Sequence, residues 1–157
     1  MEKIASFSID HRVLREGIYL SRRDGDVDTY DLRLRRPNGG EYLSNPAIHT
    51  VEHLFATFVR NSRFKERIIY FGPMGCRTGF YFLVRGMTGA EVISLIQEGF
   101  GFIAAFSGEI PGAAEPECGN YLEHDLSAAK ADAVRYIACI DGYTPEGLRY
   151  PDADGRG

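Results

Sequence analysis

The sequence predicts an α+β fold, a single-domain two-layer sandwich in which a mainly antiparallel sheet packs on helices. Strand-like and helix-like segments interleave without regular βαβ spacing, and one pair of strands is close enough along the chain to pair directly. The chain has 157 residues, of which 44% are hydrophobic, and this suffices for one domain with a substantial core. We expect that domain to span residues 1–157, with a loosely ordered tail over about 141–157, where Gly, Pro, Asp and Arg replace the apolar pattern.

Four segments have the pattern of β-strands. Lys3 to Ile9 and Tyr30 to Arg35 alternate apolar and polar residues, which predicts strands with one buried face. Ile68 to Phe71 and Gly79 to Arg85 are largely apolar, and the glycine- and proline-rich segment 72–78 separates them. The second pair is therefore expected to form neighbouring strands joined by an irregular loop.

Three helices are expected. Asn45 and Pro46 form a plausible cap and first turn, because proline suits the first helical position. Thr88 and Glu91 match a capping box that opens the second helix, and the third is expected from Ser127 to Ile140. The core stripe of the first helix consists of Ile48, Val51, Leu54, Phe55, Phe58 and Val59.

The composition excludes two classes of partner. The 18 basic and 22 acidic side chains give a net charge of −4, and no basic block suggests a phosphate-binding track, so nucleic acid is not expected. The first residues lack the apolar core of a signal peptide, and no apolar run approaches the roughly 18 residues that span a bilayer. We expect a cytoplasmic protein with no membrane association. Its three cysteines are expected to be thiols, used for ligation, catalysis or packing.

The segment His49-Thr50-Val51-Glu52-His53 has the H-x-x-E-H spacing of a metal site. At about 100° per residue, His49 and His53 lie roughly 40° apart around the helix axis and Glu52 lies about 60° to the other side of His49. All three side chains can face one cavity. In metalloproteases with such motifs the histidines bind zinc and the glutamate moves protons. The alternative is a structural network of two half-buried imidazoles beside a carboxylate.

Two imidazoles are too few for a tight site, so a third protein ligand is expected, with a fourth position left to water or substrate. Cys118 stands out because the turn-rich segment 116–120 can bend its thiolate toward a fixed point. Cys139 lies in an apolar run and is predicted to be a buried packing residue. The cysteines and histidines that could supply the third ligand are Cys118, Cys76, His124 and His11.

Cys76 lies in a glycine-flanked loop beside Arg77. A cation or backbone amide directed at a thiol raises its thiolate fraction, which suits a nucleophile or a base. The alternative is an exposed loop cysteine without a role. Taken alone, Arg33 is expected to be a solvated strand side chain, and Ser6 a strand hydroxyl without a function.

Several of these motifs occur in the same order in one protein family. Together they resemble the S-ribosylhomocysteine lyases, or LuxS, which act in the activated methyl cycle and in autoinducer-2 synthesis for quorum sensing. The resemblance covers nearly the whole chain. The motifs are Ser6-Phe7 with Asp10-His11, Tyr30-Asp31-Leu32-Arg33 with Pro37-Asn38, the H-x-x-E-H segment, residues 73–81 around Cys76, and Glu117-Cys118-Gly119 with His124-Asp125-Leu126.

This resemblance implies a reaction, a cofactor and an assembly. The reaction is cleavage of S-ribosylhomocysteine to homocysteine and 4,5-dihydroxy-2,3-pentanedione, the precursor of autoinducer-2. The cofactor is one divalent metal per subunit, Fe(II) in the cell, with Zn(II) or Co(II) able to replace it. A homodimer with active sites at the subunit interface is also implied. The implied site residues are His49, His53 and Cys118 as metal ligands, Glu52 and Cys76 as proton carriers, and Ser6, His11 and Arg33 in the substrate pocket.

Two positions depart from the family pattern. Arg35 stands where many members have a cysteine, and residues 70–72 are Tyr-Phe-Gly where a common version has Asp-Ile-Ser. The second departure lies at the pocket end that would bind the homocysteine amino acid group, so no residue is assigned to that contact.

Two other functions remain open from the sequence. One is a small metalloprotease of the H-x-x-E-H type, in which Glu52 activates a metal-bound water. The other is a metal-stabilised, non-enzymatic interaction domain, in which a fourth ligand from Cys76 or His124 closes the site.

Overall fold

The computed structural model describes residues 1–152, which form one antiparallel four-stranded sheet packed against three helices. The α+β class predicted from the sequence is confirmed. Short 3₁₀ turns cover Ala5–Phe7, Lys65–Arg67 and Pro145–Leu148. The strands are β1 (Gly17–Asp24), β2 (Val27–Arg33), β3 (Ile68–Pro73) and β4 (Gly79–Arg85), in the sheet order β1-β2-β4-β3, and the helices are α1 (Asn45–Arg60), α2 (Gly89–Ala105) and α3 (Leu126–Cys139).

The two faces of β2 serve different purposes. Tyr30 and Leu32 belong to the hydrophobic core between the sheet and the helices. Because strand side chains alternate, Asp31 and Arg33 lie on the opposite face, which we call the outer face. Both are nevertheless buried, with 0% and 2% of their surface exposed. Because this charged pair is buried, other parts of the protein cover this region of the outer face, which is not a solvated strand surface.

Three of the four predicted strands are present, and the predicted N-terminal strand is not. The predicted strands at 30–35, 68–71 and 79–85 correspond to β2, β3 and β4, and β3 pairs with β4 as expected. Lys3 to Ile9 is not a strand, because its alternating residues have no partner strand and instead form the turn Ala5–Phe7. One edge strand of the sheet is β1, which the sequence pattern did not identify.

The helix predictions were correct in position and differ at the caps. The cap of α1 is Ser44, whose hydroxyl accepts a hydrogen bond from the Ala47 amide, and Asn45 is already helical. The Thr88 and Glu91 capping box is present as predicted. Cys139 ends α3 on its exposed side, so the predicted packing role for this thiol is wrong.

Residues 141–152, for which the sequence suggested a loosely ordered tail, pack against the sheet. The Tyr143 hydroxyl donates to the Ile18 carbonyl at 2.6 Å, and the Tyr150 ring stacks on Tyr19 with 4.9 Å between ring centroids. A glycine- and proline-rich segment with little apolar pattern is therefore docked here through two tyrosines. The remainder of the suggested tail, 153–157, lies outside the described residues.

Arg35, one of the two departures from the family pattern, has a structural contact. Its guanidinium forms an ion pair with Asp132 and donates to the Leu34 carbonyl, so it links the end of the sheet to α3. Both side chains are largely buried, and burial raises the pKa of Asp132 although the Arg35 charge opposes this. Among residues 1–152, no helix is both long and apolar enough to cross a bilayer.

Replacing Gly79 with alanine is expected to destabilise the protein by about 1–3 kcal/mol, as is usual for overpacking. A Cβ at Gly79 would lie 2.2 Å from the Leu32 carbonyl oxygen on the neighbouring strand, so the backbones of β2 and β4 would have to separate. The free energy of unfolding would be measured by urea titration. The matched control is Gly101→Ala in α2, where a Cβ has open space and helix propensity predicts a gain of up to about 1 kcal/mol. Equal effects of the two substitutions would contradict this account of Gly79.

Candidate functional site

Four side chains that could hold a metal ion, here called the metal-binding group, meet beside the first two turns of α1. His49 and His53 come from the helix, and Cys118 and His124 come from the long connection between α2 and α3. One donor atom from each residue lies within 4.8 Å of the others. The Cys118 Sγ atom is 3.3 Å from His49 Nε2 and 3.9 Å from His53 Nε2. Tetrahedral zinc bonds of standard length place neighbouring donors about 3.4–3.8 Å apart, so these separations suit a shared metal ion.

Backbone carbonyls fix the tautomers of the two helical histidines. His49 Nδ1 lies 2.8 Å from the Glu123 carbonyl, and His53 Nδ1 lies 2.9 Å from the Pro111 carbonyl. A carbonyl only accepts, so each Nδ1 carries a proton, and Nε2 is the ring nitrogen left to bind a metal. Metal-binding histidines are commonly oriented in this way. Gly112 contributes by its left-handed φ of 72° and its missing Cβ, which would lie 3.3 Å from His53 Nδ1.

The Thr50 hydroxyl fixes the tautomer of His124 by the same reasoning. It donates to the Pro46 carbonyl at 3.0 Å and accepts from the Asp125 amide at 3.0 Å, so its contact with His124 Nδ1 at 3.0 Å must be a second acceptance. His124 Nε2 therefore keeps its lone pair. It is buried and has no hydrogen-bond partner among residues 1–152.

The surroundings of His124 favour a neutral imidazole. Burial lowers its pKa, and the neighbouring rings of His49 and His53 lower it further. Its ring stacks on His49 with 4.0 Å between centroids. An unpaired buried nitrogen is costly unless something binds it. Imidazole nitrogens and a cysteine sulfur are donors that zinc and iron(II) accept, so these residues fit a divalent metal.

Glu52 lies beside the metal-binding group without belonging to it. With His53, Thr57, Pro111 and Gly112 it lines a cavity of about 290 Å³. A larger cavity of about 680 Å³ shares Pro111 and Gly112 with it and includes His124 in its wall. The carboxylate is therefore accessible to a small molecule that approaches the metal-binding group.

Cys76 forms a second cluster, in the loop between β3 and β4. Its exposed Sγ atom is 3.0 Å from the Thr78 hydroxyl and 4.0 Å from Arg33 Nη1. Arg33 Nη1 also donates to the Thr78 hydroxyl at 2.8 Å. Because that hydroxyl accepts from Arg33, its own hydrogen is free to point at the sulfur. The Cys76 sulfur therefore has a guanidinium and a hydroxyl on one side, the kinds of group that can stabilise negative charge on sulfur.

The residues around Cys76 correct two expectations from the sequence. Arg33 is not solvated, since its guanidinium makes two hydrogen bonds of 3.1 and 2.7 Å to the buried Asp31 carboxylate. Arg77 does not face the thiol, since it donates to the Leu43 carbonyl and lies over the Tyr42 ring. The cation that serves Cys76 thus comes from another strand, 43 residues away along the chain.

The other predicted pocket residues lie apart from these two groups. Ser6 is half-buried and lines a cavity of about 290 Å³ on the outer face, together with Ser21, Thr29 and Tyr81. His11 is half-buried, and its Nδ1 donates to the Ile9 carbonyl at 2.8 Å. In the part of the chain that the structure describes, no hydrogen bond or ion pair joins the metal-binding group to Cys76.

Sequence reasoning missed two residues of the site. Thr78 is 1% exposed and accepts a hydrogen bond from Arg33. Asp31 is fully buried and accepts hydrogen bonds from the same guanidinium. The signal for Asp31 was its position two residues before Arg33 on one strand face. The signal for Thr78 was its place two residues after Cys76, in the same glycine-bounded loop.

The chain is similar to known proteins over nearly its whole length. It matches the family described as S-ribosylhomocysteinase (LuxS) over residues 4–144. The chain belongs to the LuxS family. An S-ribosylhomocysteine lyase of Clostridium acetobutylicum is 45% identical to it, over 97% of this chain and 100% of the relative. Lyases of the same name from Porphyromonas gingivalis and Desulfotalea psychrophila are each 48% identical, over 97% and 96% of this chain and 100% and 99% of the relatives.

Membership of the LuxS family confirms the resemblance and the enzyme class expected from the sequence, a carbon–sulfur lyase. It argues against the metalloprotease and against the non-enzymatic interaction domain. The roles of individual side chains rest on the geometry above, since family membership alone does not assign them.

Proposed function

We propose that this LuxS protein cleaves the thioether of S-ribosylhomocysteine, giving homocysteine and 4,5-dihydroxy-2,3-pentanedione. The observation that carries the proposal is the pair of clusters described above. One combines two imidazoles and a thiol with a neighbouring carboxylate, Glu52, and the other holds an accessible thiol, Cys76, against Arg33 and Thr78. Family membership names the reaction that such groups would serve.

The chemistry explains why two proton carriers are needed. A thioether is a poor leaving group until a neighbouring carbanion can expel it. In the open-chain sugar, the carbonyl moves from C1 to C2 and then to C3, through two enediolates. The C4 proton then becomes acidic. Its removal breaks the C5–S bond, and the sulfur leaves as a thiolate that takes up a proton to give homocysteine.

The metal ligands we propose are His49, His53 and Cys118, with Fe(II) as the native ion and Zn(II) or Co(II) as substitutes. The carbonyl-oriented Nε2 atoms and the adjacent sulfur support this assignment. A divalent ion bound there would polarise a sugar carbonyl and stabilise developing enediolate charge by several kcal/mol. His124 Nε2 lies in the same group and has no hydrogen-bond partner among residues 1–152, and we assign it to the side of the fourth, exchangeable position, as a neighbour of the ligands.

Glu52 and Cys76 are the proposed proton carriers. Glu52 lies in an open cavity next to His53 and outside the donor group, so its carboxylate is free to take and return protons. Cys76 is exposed, and its sulfur lies beside Arg33 and Thr78, so we assign it as a base that removes protons without attacking carbon. Each general acid–base step of this kind contributes roughly 10²- to 10⁴-fold to the rate.

Ser6, His11 and Arg33 are proposed to bind the substrate. Ser6 opens into a cavity on the outer face, and His11 presents Nε2 because its Nδ1 is bonded to the Ile9 carbonyl. Arg33 is already engaged by Asp31 and Thr78, so its contribution is to the end of the pocket beside Cys76.

The direct test is to incubate the purified, metal-loaded protein with S-ribosylhomocysteine and to measure released thiol. We expect stoichiometric homocysteine together with the dihydroxypentanedione. A metal-loaded, folded protein that releases no thiol would overturn the proposed reaction.

We also propose a cytoplasmic homodimer with active sites between subunits. Arg33 and its partners lie on the outer face of the sheet, whereas the metal-binding group lies on α1 and the loop that covers it. A second copy could bring one group to the other. The free thiols of Cys76, Cys118 and Cys139 suit a reducing compartment.

Mixing two inactive variants is expected to restore activity if each site uses both subunits. In a mixed dimer of Cys76→Ala and His49→Ala chains, one site has both groups intact and the other has neither. Random exchange makes half of the dimers mixed, so about a quarter of wild-type activity should return. Thiol release would be measured after subunit exchange, with each variant alone as the control. No recovery despite demonstrated exchange, or a fully active monomer in sedimentation, would contradict shared sites.

A further inference from the structure

The buried Asp31–Arg33 pair is connected to the C-terminal segment as well as to Cys76. The Tyr150 hydroxyl donates to Asp31 Oδ2 at 2.7 Å. Asp31 Oδ2 also accepts from Arg33 Nη2 at 2.7 Å, and Asp31 Oδ1 accepts from Arg33 Nε at 3.1 Å. A continuous chain of polar contacts therefore runs from Tyr150 through Asp31 and Arg33 to Thr78 and Cys76.

Tyr150 is held firmly in this position. Its ring stacks on Tyr19, which is opposite Asp31 in the β1–β2 register. Burial raises the pKa of Tyr150 well above its usual range, and the negative charge of Asp31 adds to this, so the hydroxyl stays protonated and remains a donor. The family model matches residues 4–144, so Tyr150 lies beyond the residues that the model covers.

We propose that Tyr150 is a positioning residue that tunes the reactivity of the Cys76 thiol through Asp31 and Arg33. The proposal rests on the role of Cys76 put forward above. Asp31 is fully buried, so its charge is balanced only by the groups that touch it. By donating to Asp31 Oδ2, Tyr150 offsets part of the Asp31 charge. The attraction between Asp31 and Arg33 is then weaker, and the positive charge of Arg33 interacts more strongly with Cys76 and Thr78.

The other charged or titratable groups near this chain of contacts do not replace Tyr150. Tyr19 donates to the Arg15 carbonyl, and Tyr136 and Tyr143 donate to the carbonyls of Gly17 and Ile18. Tyr81, opposite Asp31 on β4, has its pKa raised by burial first and by Asp31 next. Tyr150 is the tyrosine that bonds the Asp31 carboxylate among residues 1–152.

The test is the pH dependence of Cys76 alkylation in the metal-loaded protein without substrate. Iodoacetamide labelling at Cys76 would be quantified on its peptide by mass spectrometry, so that Cys118 and Cys139 do not contribute. In Tyr150→Phe the ring is kept and the hydroxyl is lost, so Asp31 should bind Arg33 more strongly. The pH at which the labelling rate is half-maximal should then rise by about one unit, and labelling near neutral pH should slow severalfold.

The matched control is Tyr143→Phe, which removes a hydroxyl from the same segment that bonds only backbone carbonyls, those of Ile18 and Gly147. It should leave the labelling profile unchanged. In turnover, Tyr150→Phe should lower kcat and leave KM nearly unchanged. Since labelling needs no substrate, its outcome is independent of whether the proposed lyase reaction is right.

A wild-type labelling profile in Tyr150→Phe would overturn the proposal. Tyr150→Leu separates packing from hydrogen bonding, because it removes both the ring and the hydroxyl. A shift in the Leu variant that is absent from the Phe variant would mean that stacking on Tyr19 is what matters, and this would also contradict the proposal. Equal shifts in both variants would support it.

Discussion

Replacing Cys76 with alanine should lower homocysteine release by about 10³-fold or more, because the proposed proton transfers on the sugar carbons lose one of their two carriers. The metal content should stay at the wild-type level, since Cys76 is outside the four-donor group on α1 and its covering loop. Thiol release and metal content would be measured on the same preparation.

The control for Cys76 is chosen to remove a thiol without touching either cluster. Cys139 is exposed at the end of α3, so Cys139→Ala should keep wild-type turnover. Near wild-type turnover in a pure Cys76→Ala preparation would show that another group moves the protons, with Glu52 then the first candidate for both steps.

Replacing Cys118 with alanine should remove the metal, and turnover should fall to background with it. The Cys118 sulfur lies 3.3 Å from His49 Nε2 and 3.9 Å from His53 Nε2, so its loss leaves only two of the three proposed ligands, too few for tight binding. Metal content by emission spectroscopy is one readout. A second is the sulfur-to-cobalt charge-transfer absorption of the Co(II) form, which should be present in the wild type and absent from the variant.

His124→Gln provides the matched comparison for Cys118. We propose that His124 lies beside the metal and is not a ligand. Its replacement should therefore weaken metal binding by about 10- to 100-fold, the usual effect of replacing a residue that supports the ligands. The cobalt–sulfur absorption should survive at saturating Co(II). A metal-replete, fully active Cys118→Ala protein would refute the ligand set, whereas loss of the metal in His124→Gln equal to that in Cys118→Ala would make His124 a ligand.

The success of the sequence predictions differs between local and long-range features. The helix containing His49, Glu52 and His53 could be read from its apolar periodicity and its proline, because these act within a few residues. The strand predicted for residues 3–9 failed because alternation shows only that a strand could bury one face. It does not show that a partner strand is available. In the structure, the edge position beside β2 is occupied by β1.

Cys76 shows the same limit at the level of the site. The sequence identified this thiol and its loop, yet it chose the adjacent Arg77 as the cation. In the structure Arg77 has a left-handed φ of 60° and faces Leu43, so proximity in sequence did not produce proximity of charge. The cation is Arg33, placed by the register that sets it opposite Gly79.

By itself, the sequence determined the α+β class, the order of family motifs and the candidate metal ligands, because these depend on residue type, periodicity and spacing. Only the tertiary structure decided which atoms orient and contact these residues. The carbonyls that orient His49 and His53, the hydroxyl that orients His124, and the contact of Tyr150 with Asp31 all join segments distant in sequence. Such contacts follow from strand register and loop packing, which emerge when the whole core forms and leave no local signature in the chain.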